Sequence, residues 1–117
     1  MRRVFFLFML LVCMLPLTVS AQCIKGDCRD GHGTFLFPHD TKYTGEWKNG
    51  KKDGKGVETY FDGNTYTGEF RDGKKNGFGV ETYSGGNRYE GQWRDGAAQG
   101  LGTFILFSLP SALSTAS

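Results

Sequence analysis

With 117 residues, 18 of them glycine, the chain holds one small domain with limited capacity to bury a core. The formal charge of +2 resides in Arg2 and Arg3, so residues 22–117 carry equal numbers of basic and acidic side chains. That balance argues against nucleic acid, whose binders present a basic surplus to the phosphates.

Residues 1–21 read as a signal peptide. Arg2 and Arg3 form a positive start, Val4 to Leu15 is almost wholly apolar, and Val19-Ser20-Ala21 supplies a cleavage site after Ala21. The apolar run is shorter than the roughly 20 residues that span a bilayer. An uncleaved anchor and a lipoprotein acylated on Cys23 are the alternatives, although Gln22 is a poor residue to precede an acylated cysteine. The expected location is secreted, periplasmic or cell-envelope. In that oxidising setting Cys23 and Cys28 favour a local disulfide. Zinc is the competing reading, because Cys23, Cys28, His32 and His39 follow one another, but C-x4-C-x3-H-x6-H misses the usual finger spacing.

From Tyr43 onward the sequence repeats every 23 residues. Residues 43–65 and 66–88 are identical at most positions, and residues 89–107 open a third copy that loses the pattern. Stepping back by one period aligns Gly31 and Gly33 with Gly54 and Gly56. Residues 22–42 therefore combine a cysteine-bearing lead-in with a degenerate half-copy from Asp30 to Lys42. A tail occupies residues 108–117. Such short periods indicate stacked units with atypical ends.

Each unit reads as two strands. Tyr43 to Trp47 alternates large and polar residues, Lys48 to Gly54 carries the reversal signals Asn49-Gly50 and Asp53-Gly54, and Gly56 to Phe61 is the second strand. Asp62-Gly63-Asn64 turns the chain again. Frequent glycine, at about 1 kcal/mol each against alanine, excludes helix. Alternation places Tyr43, Gly45 and Trp47 on one face, and Gly56, Glu58 and Tyr60 on one face. The expected register sets Trp47 opposite Gly56, Gly45 opposite Glu58 and Tyr43 opposite Tyr60, with Tyr60 beside Tyr66. Two aromatic rows follow, one of Tyr43, Tyr60, Tyr66, Tyr83 and Tyr89, the other of Trp47, Phe70 and Trp93.

These residues resemble the MORN repeat. The pattern Y-x-G-x-W/F-x-x-G-x-x-x-G-x-G matches at Tyr43, Gly45, Trp47, Gly50, Gly54 and Gly56, and again one and two periods later. The resemblance implies an all-β, elongated, single-layer antiparallel meander of stacked hairpins. It also implies a scaffold, membrane-associated tether or interaction module without a catalytic residue in the repeat. Two departures stand out. Glu58 and Glu81 occupy positions where the family often has apolar residues, and Phe104 to Phe107 replaces the D-G turn, either as a terminal strand or as an altered end.

No catalytic constellation, cofactor motif or metal pattern emerges, and the glycines lack the G-K-[ST] ending of a phosphate loop. Basic residues cluster between strands, at Lys48, Lys51, Lys52 and Lys55, then at Arg71, Lys74 and Lys75. The function expected is an exported, non-catalytic protein-interaction or scaffold module using the aromatic rows, its protein partner unknown. The alternative is an envelope-surface module, with Lys51, Lys52, Lys74 and Lys75 attracting anionic lipid or wall polysaccharide and exposed rings stacking on sugar. Trp93, near the array end, is expected to be exposed and available for binding.

Overall fold

A computed structural model describes residues 21–107. The segment expected to be a signal peptide, apart from Ala21, and the tail 108–117 lie outside the described residues. Eight strands form one antiparallel sheet in sequence order. They are β1 (Gln22–Gly26), β2 (Gly31–Phe37), β3 (Thr41–Lys48), β4 (Lys51–Thr59), β5 (Thr65–Arg71), β6 (Lys74–Thr82), β7 (Arg88–Arg94) and β8 (Ala97–Ile105). At about 4.8 Å per step the sheet extends roughly 34 Å across its strands. No helix occurs among the described residues. Phe104 and Ile105 lie within β8.

The reversal inside each repeat is tighter than the sequence suggested. Only Asn49 and Gly50 turn the chain, with φ of 52° and 75°, the paired positive values of a two-residue type I′ hairpin. Asp72-Gly73 and Asp95-Gly96 repeat the geometry. Lys51, Lys52, Asp53 and Gly54 therefore belong to β4 rather than to a loop. The second reversal signal is a bulge. Pairing passes from Gly45↔Gly56 to Trp47↔Lys52, so Glu46 alone opposes three residues, and Gly54 takes φ of 101° within that kink. A Glu46 carboxylate oxygen accepts the freed Lys55 amide at 2.6 Å, and Glu69 does the same for Phe78 at 2.8 Å.

The bulge corrects the expected register. Gly45, not Trp47, faces Gly56, and Tyr43 faces Glu58 rather than Tyr60. Across the next turn Tyr66 also faces Glu58, so Tyr60 is not its neighbour in the ladder. The error is an even number of residues, which leaves every side chain on its expected face.

Consecutive hairpins are stitched along both edges. At the tips, Gly50, Gly73 and Gly96 donate their amides to the carbonyls of Arg29, Lys52 and Lys75. At the opposite edge, the Ser84 and Phe107 amides donate to the Asn64 and Asn87 side chains at 2.7 and 2.9 Å. Cys23 and Cys28 form a disulfide at the β1 end, with Cα atoms 5.9 Å apart.

Candidate interaction surfaces

One face is an aromatic layer packed on glycine. Gly33, Gly45, Gly56, Gly68, Gly79 and Gly91 pair in succession across β2 to β7. A methyl group at Gly56 or Gly79 would overlap the ring of Tyr43 or Tyr66, so each tyrosine lies flat because its floor lacks side chains. Tyr43 then donates its hydroxyl to the Glu46 carbonyl at 2.9 Å, and Tyr66 to that of Glu69 at 2.9 Å.

The two expected rows interlock into a single ladder. Tyr43 meets Trp47 and Phe70 edge-on, each at 5.0 Å between ring centroids. Tyr66 meets Phe70 at 5.1 Å and Trp93 at 5.4 Å in the same T-shaped manner. Tyr89 meets Trp93 at 5.7 Å. These edge-to-face contacts suit the ring quadrupoles and close the layer upon itself. Tyr43 and Tyr66 are wholly buried, and Trp47, Phe70 and Trp93 are nearly so. The expected exposure of Trp93 is thus corrected, as is that of the rows generally. Trp93 is 7 % exposed, and its indole N–H reaches the Gly79 carbonyl at 3.3 Å. Only Tyr60, Tyr83 and Tyr89 remain half-buried.

The lysines divide into two kinds. Lys52 and Lys75 bend onto the rings instead of projecting from the edge. Lys52 pairs with Glu58 while its ammonium lies over Phe37, Tyr43 and Phe70 at 5.1–5.7 Å. Lys75 sits 3.4 Å from Glu81 and over Tyr60, Tyr66 and Trp93 at 4.8–5.3 Å. Tyr60 and Tyr83 also donate to Glu58 and Glu81. The first two units thus each hold an internal cation roofing the ladder, a role in which the departures Glu58 and Glu81 are the counter-charges. The signal was present in the repeats: a lysine recurs six residues before each of these glutamates, and in the third unit both are lost together, to Ala98 and Phe104. Low polarity and these carboxylates raise the tyrosine pKa values. Burial first, then the Glu69 charge, pushes Tyr66 up to about 12. Burial and the Glu58 hydrogen bond push Tyr60 higher still.

Lys51 and Lys74 are exposed at the hairpin tips. Lys48 stands directly opposite Lys51, and Arg71 opposite Lys74, so like charges face each other beside two successive turns. Lys51, Arg71, Lys74 and Arg94 line one shallow depression with Asp72 and Asp95.

The other face was not singled out by sequence. A shallow strip there is lined by Thr44, Val57, Thr67, Phe78 and Val80, with Glu69 and Lys55 at its border. Val57 is 40 % and Phe78 50 % exposed. Among the described residues, no group of three or more His, Cys, Asp or Glu is arranged to hold a metal ion, and the bonded sulfurs of Cys23 and Cys28 offer no thiolates to zinc.

A sheet of stitched hairpins, floored by glycine and roofed by interlocked rings, defines a repeat protein of stacked β-hairpin units, an architecture consistent with an interaction module. The family model for the MORN repeat matches residues 25–38, 43–65, 66–88 and 89–107. The chain belongs to the MORN-repeat family. No curated protein sequence matches it.

Proposed function

We propose that this protein is an exported, non-catalytic scaffold that offers the open face of its sheet to a protein partner. The observation carrying this reading is the contrast between faces. Packing consumes the rings of the aromatic face, while the other leaves Val57 and Phe78 half-exposed among threonine hydroxyls on a stitched backbone. Contiguous apolar surface with a polar border suits protein contact. The recurring carboxylates support a non-catalytic role, because each is committed: Glu46 and Glu69 to bulge amides, Glu58 and Glu81 to lysines. Export rests on the first 21 residues.

A second reading, attraction to an anionic lipid or wall polymer, draws on the facing pairs Lys48–Lys51 and Arg71–Lys74. Like charges directly opposite destabilise a sheet unless an anion offsets them. Pull-down from envelope extract, run beside purified wall and anionic liposomes, separates the two. The first reading expects a protein retained by the wild type and lost with Val57→Asp/Phe78→Asp, without sedimentation on liposomes or wall. Salt-sensitive sedimentation abolished by glutamine at Lys48, Lys51, Arg71 and Lys74 would instead establish the second. Mass spectrometry of the exported protein should begin at Gln22, and an intact Met1 in that fraction would overturn cleavage.

A further inference from the structure

The aromatic ladder is incomplete at β8, and the missing rung has a shape that the chain itself can fill. Tyr43 and Tyr66 are each held between two rings, one from their own strand and one from two strands further on. Both are wholly buried. Tyr89 occupies the same position in the third repeat but meets only Trp93 from the ladder, and it stays half-buried. Beyond it, β8 is the edge of the described sheet and has lost the charges of its counterparts. Residues 97–107 contain no charged side chain, whereas β4 and β6 each carry two or more lysines and a glutamate. Leu101 is 99 % exposed, and Phe104, Leu106 and Phe107 are each more than half exposed. Edge strands are normally blunted by charge, shortness or bulging. The opposite edge obeys that rule, since β1 has five residues, includes Lys25, and is irregular and braced by the disulfide.

We infer that two copies of this protein pair β8 to β8 about a two-fold axis at Gly102, each inserting Phe104 into the other's ladder. The internal joints between hairpins supply the template. Where β4 meets β5, Gly56 faces Gly68 and the bulge residue Gly54 faces Phe70, the ring that closes over Tyr43. Where β6 meets β7, Gly79 faces Gly91 and Gly77 faces Trp93, which closes over Tyr66. In β8 the equivalent residues are Gly102 and Gly100. An antiparallel copy with Gly102 opposite Gly102 sets its Phe104 opposite Gly100, because Phe104 lies two residues beyond Gly102, as Phe70 lies two beyond Gly68. The glycine floor thereby runs through the axis, and Tyr89 gains its second ring from two strands away. The arrangement is isologous, so both tyrosines are completed at once. Phe104 already points to the aromatic face, its ring 6.1 Å from that of Tyr83. Residues 108–117 contain no aromatic side chain and cannot supply this rung.

A single added strand with two reciprocal ring contacts lies near the lower end of specific interfaces, about 1,000 Å², so dissociation in the micromolar range is expected. Sedimentation velocity on the full chain, as produced by its expressing cells, should show a monomer–dimer equilibrium over a concentration series. The double variant Ala98→Lys/Phe104→Glu restores the lysine–glutamate pair of the other repeats, so it should keep the circular dichroism spectrum while weakening dimerisation at least tenfold. The axis is tested with two single variants on the open face. Mild oxidation of a mixture of Leu101→Cys and Thr103→Cys proteins should yield a disulfide-linked heterodimer, because this register sets residue 101 opposite residue 103. Crosslinking of either variant with itself alone would overturn the register. A wild type that stays monomeric, one that grows open-ended oligomers through β1, or a double variant that dimerises as tightly would overturn the proposal.

Discussion

Truncating Trp93 to alanine tests whether the aromatic layer is the core of this protein. The indole is 7 % exposed, lies edge-on to Tyr66 and Tyr89, carries Lys75 above it, and donates to the Gly79 carbonyl. Removing a buried Trp or Phe side chain generally costs about 3–5 kcal/mol, which here includes both T-shaped contacts and the hydrogen bond. A domain of the 87 described residues is stable by roughly 4–13 kcal/mol. Trp93→Ala should therefore remove a large fraction of that stability, lowering Tm by at least about 12 °C. Tyr66→Ala should be as severe, since Tyr66 is wholly buried between Phe70 and Trp93. Phe78→Ala is the control. It deletes a ring of similar size from the same sheet, but from the half-exposed open face, and should cost no more than about 1 kcal/mol. Thermal and urea melts followed by far-ultraviolet circular dichroism give the comparison. A Trp93→Ala melt indistinguishable from that of Phe78→Ala would refute the assignment of the aromatic face as core.

Glycine at position 79 should be irreplaceable for a different reason from glycine at position 73. Gly79→Ala drives a methyl into the Tyr66 ring and should cost about 2–3 kcal/mol, whereas Gly73→Ala meets open space and suffers only its φ of 85°, about 1 kcal/mol. Equal losses in urea titrations would contradict the glycine floor. Glu69→Ala frees the Phe78 amide from its only side-chain acceptor, so hydrogen exchange at that amide should accelerate while exchange at Thr67 does not. Alkaline pH should destabilise the fold. Tyr66 titrates near 12 when folded and near 10 when unfolded, so its contribution is intact below pH 10 and is lost as pH rises towards 12, amounting to about 2 kcal/mol. Tyr60 shifts in the same direction. Stability that is flat between pH 9 and 12 would show these hydroxyls to be solvated.

Much of the architecture is written locally. The 23-residue period, the type I′ pairs such as Asn49-Gly50, and the alternation of Tyr43, Gly45 and Trp47 determined an all-β meander and put those three side chains on one face. Those features depend on φ preference and on the two-residue pitch of a strand, which need no information from elsewhere in the chain. Register was decided by the bulge at Asp53-Gly54-Lys55. Its dipeptide is indistinguishable from a turn until Glu46, nine residues before Lys55, arrives across the sheet to accept the stranded amide. Burial was likewise a tertiary outcome. A row of rings on a single-layer sheet has no covering layer in the sequence, and these rings became core because Tyr43 and Tyr66 each lie on glycines of two strands and close against an aromatic two strands away. The same packing drew Lys52 and Lys75 from the expected basic clusters between strands onto the ladder, where desolvated ring faces and a paired carboxylate hold an ammonium better than one exposed partner could.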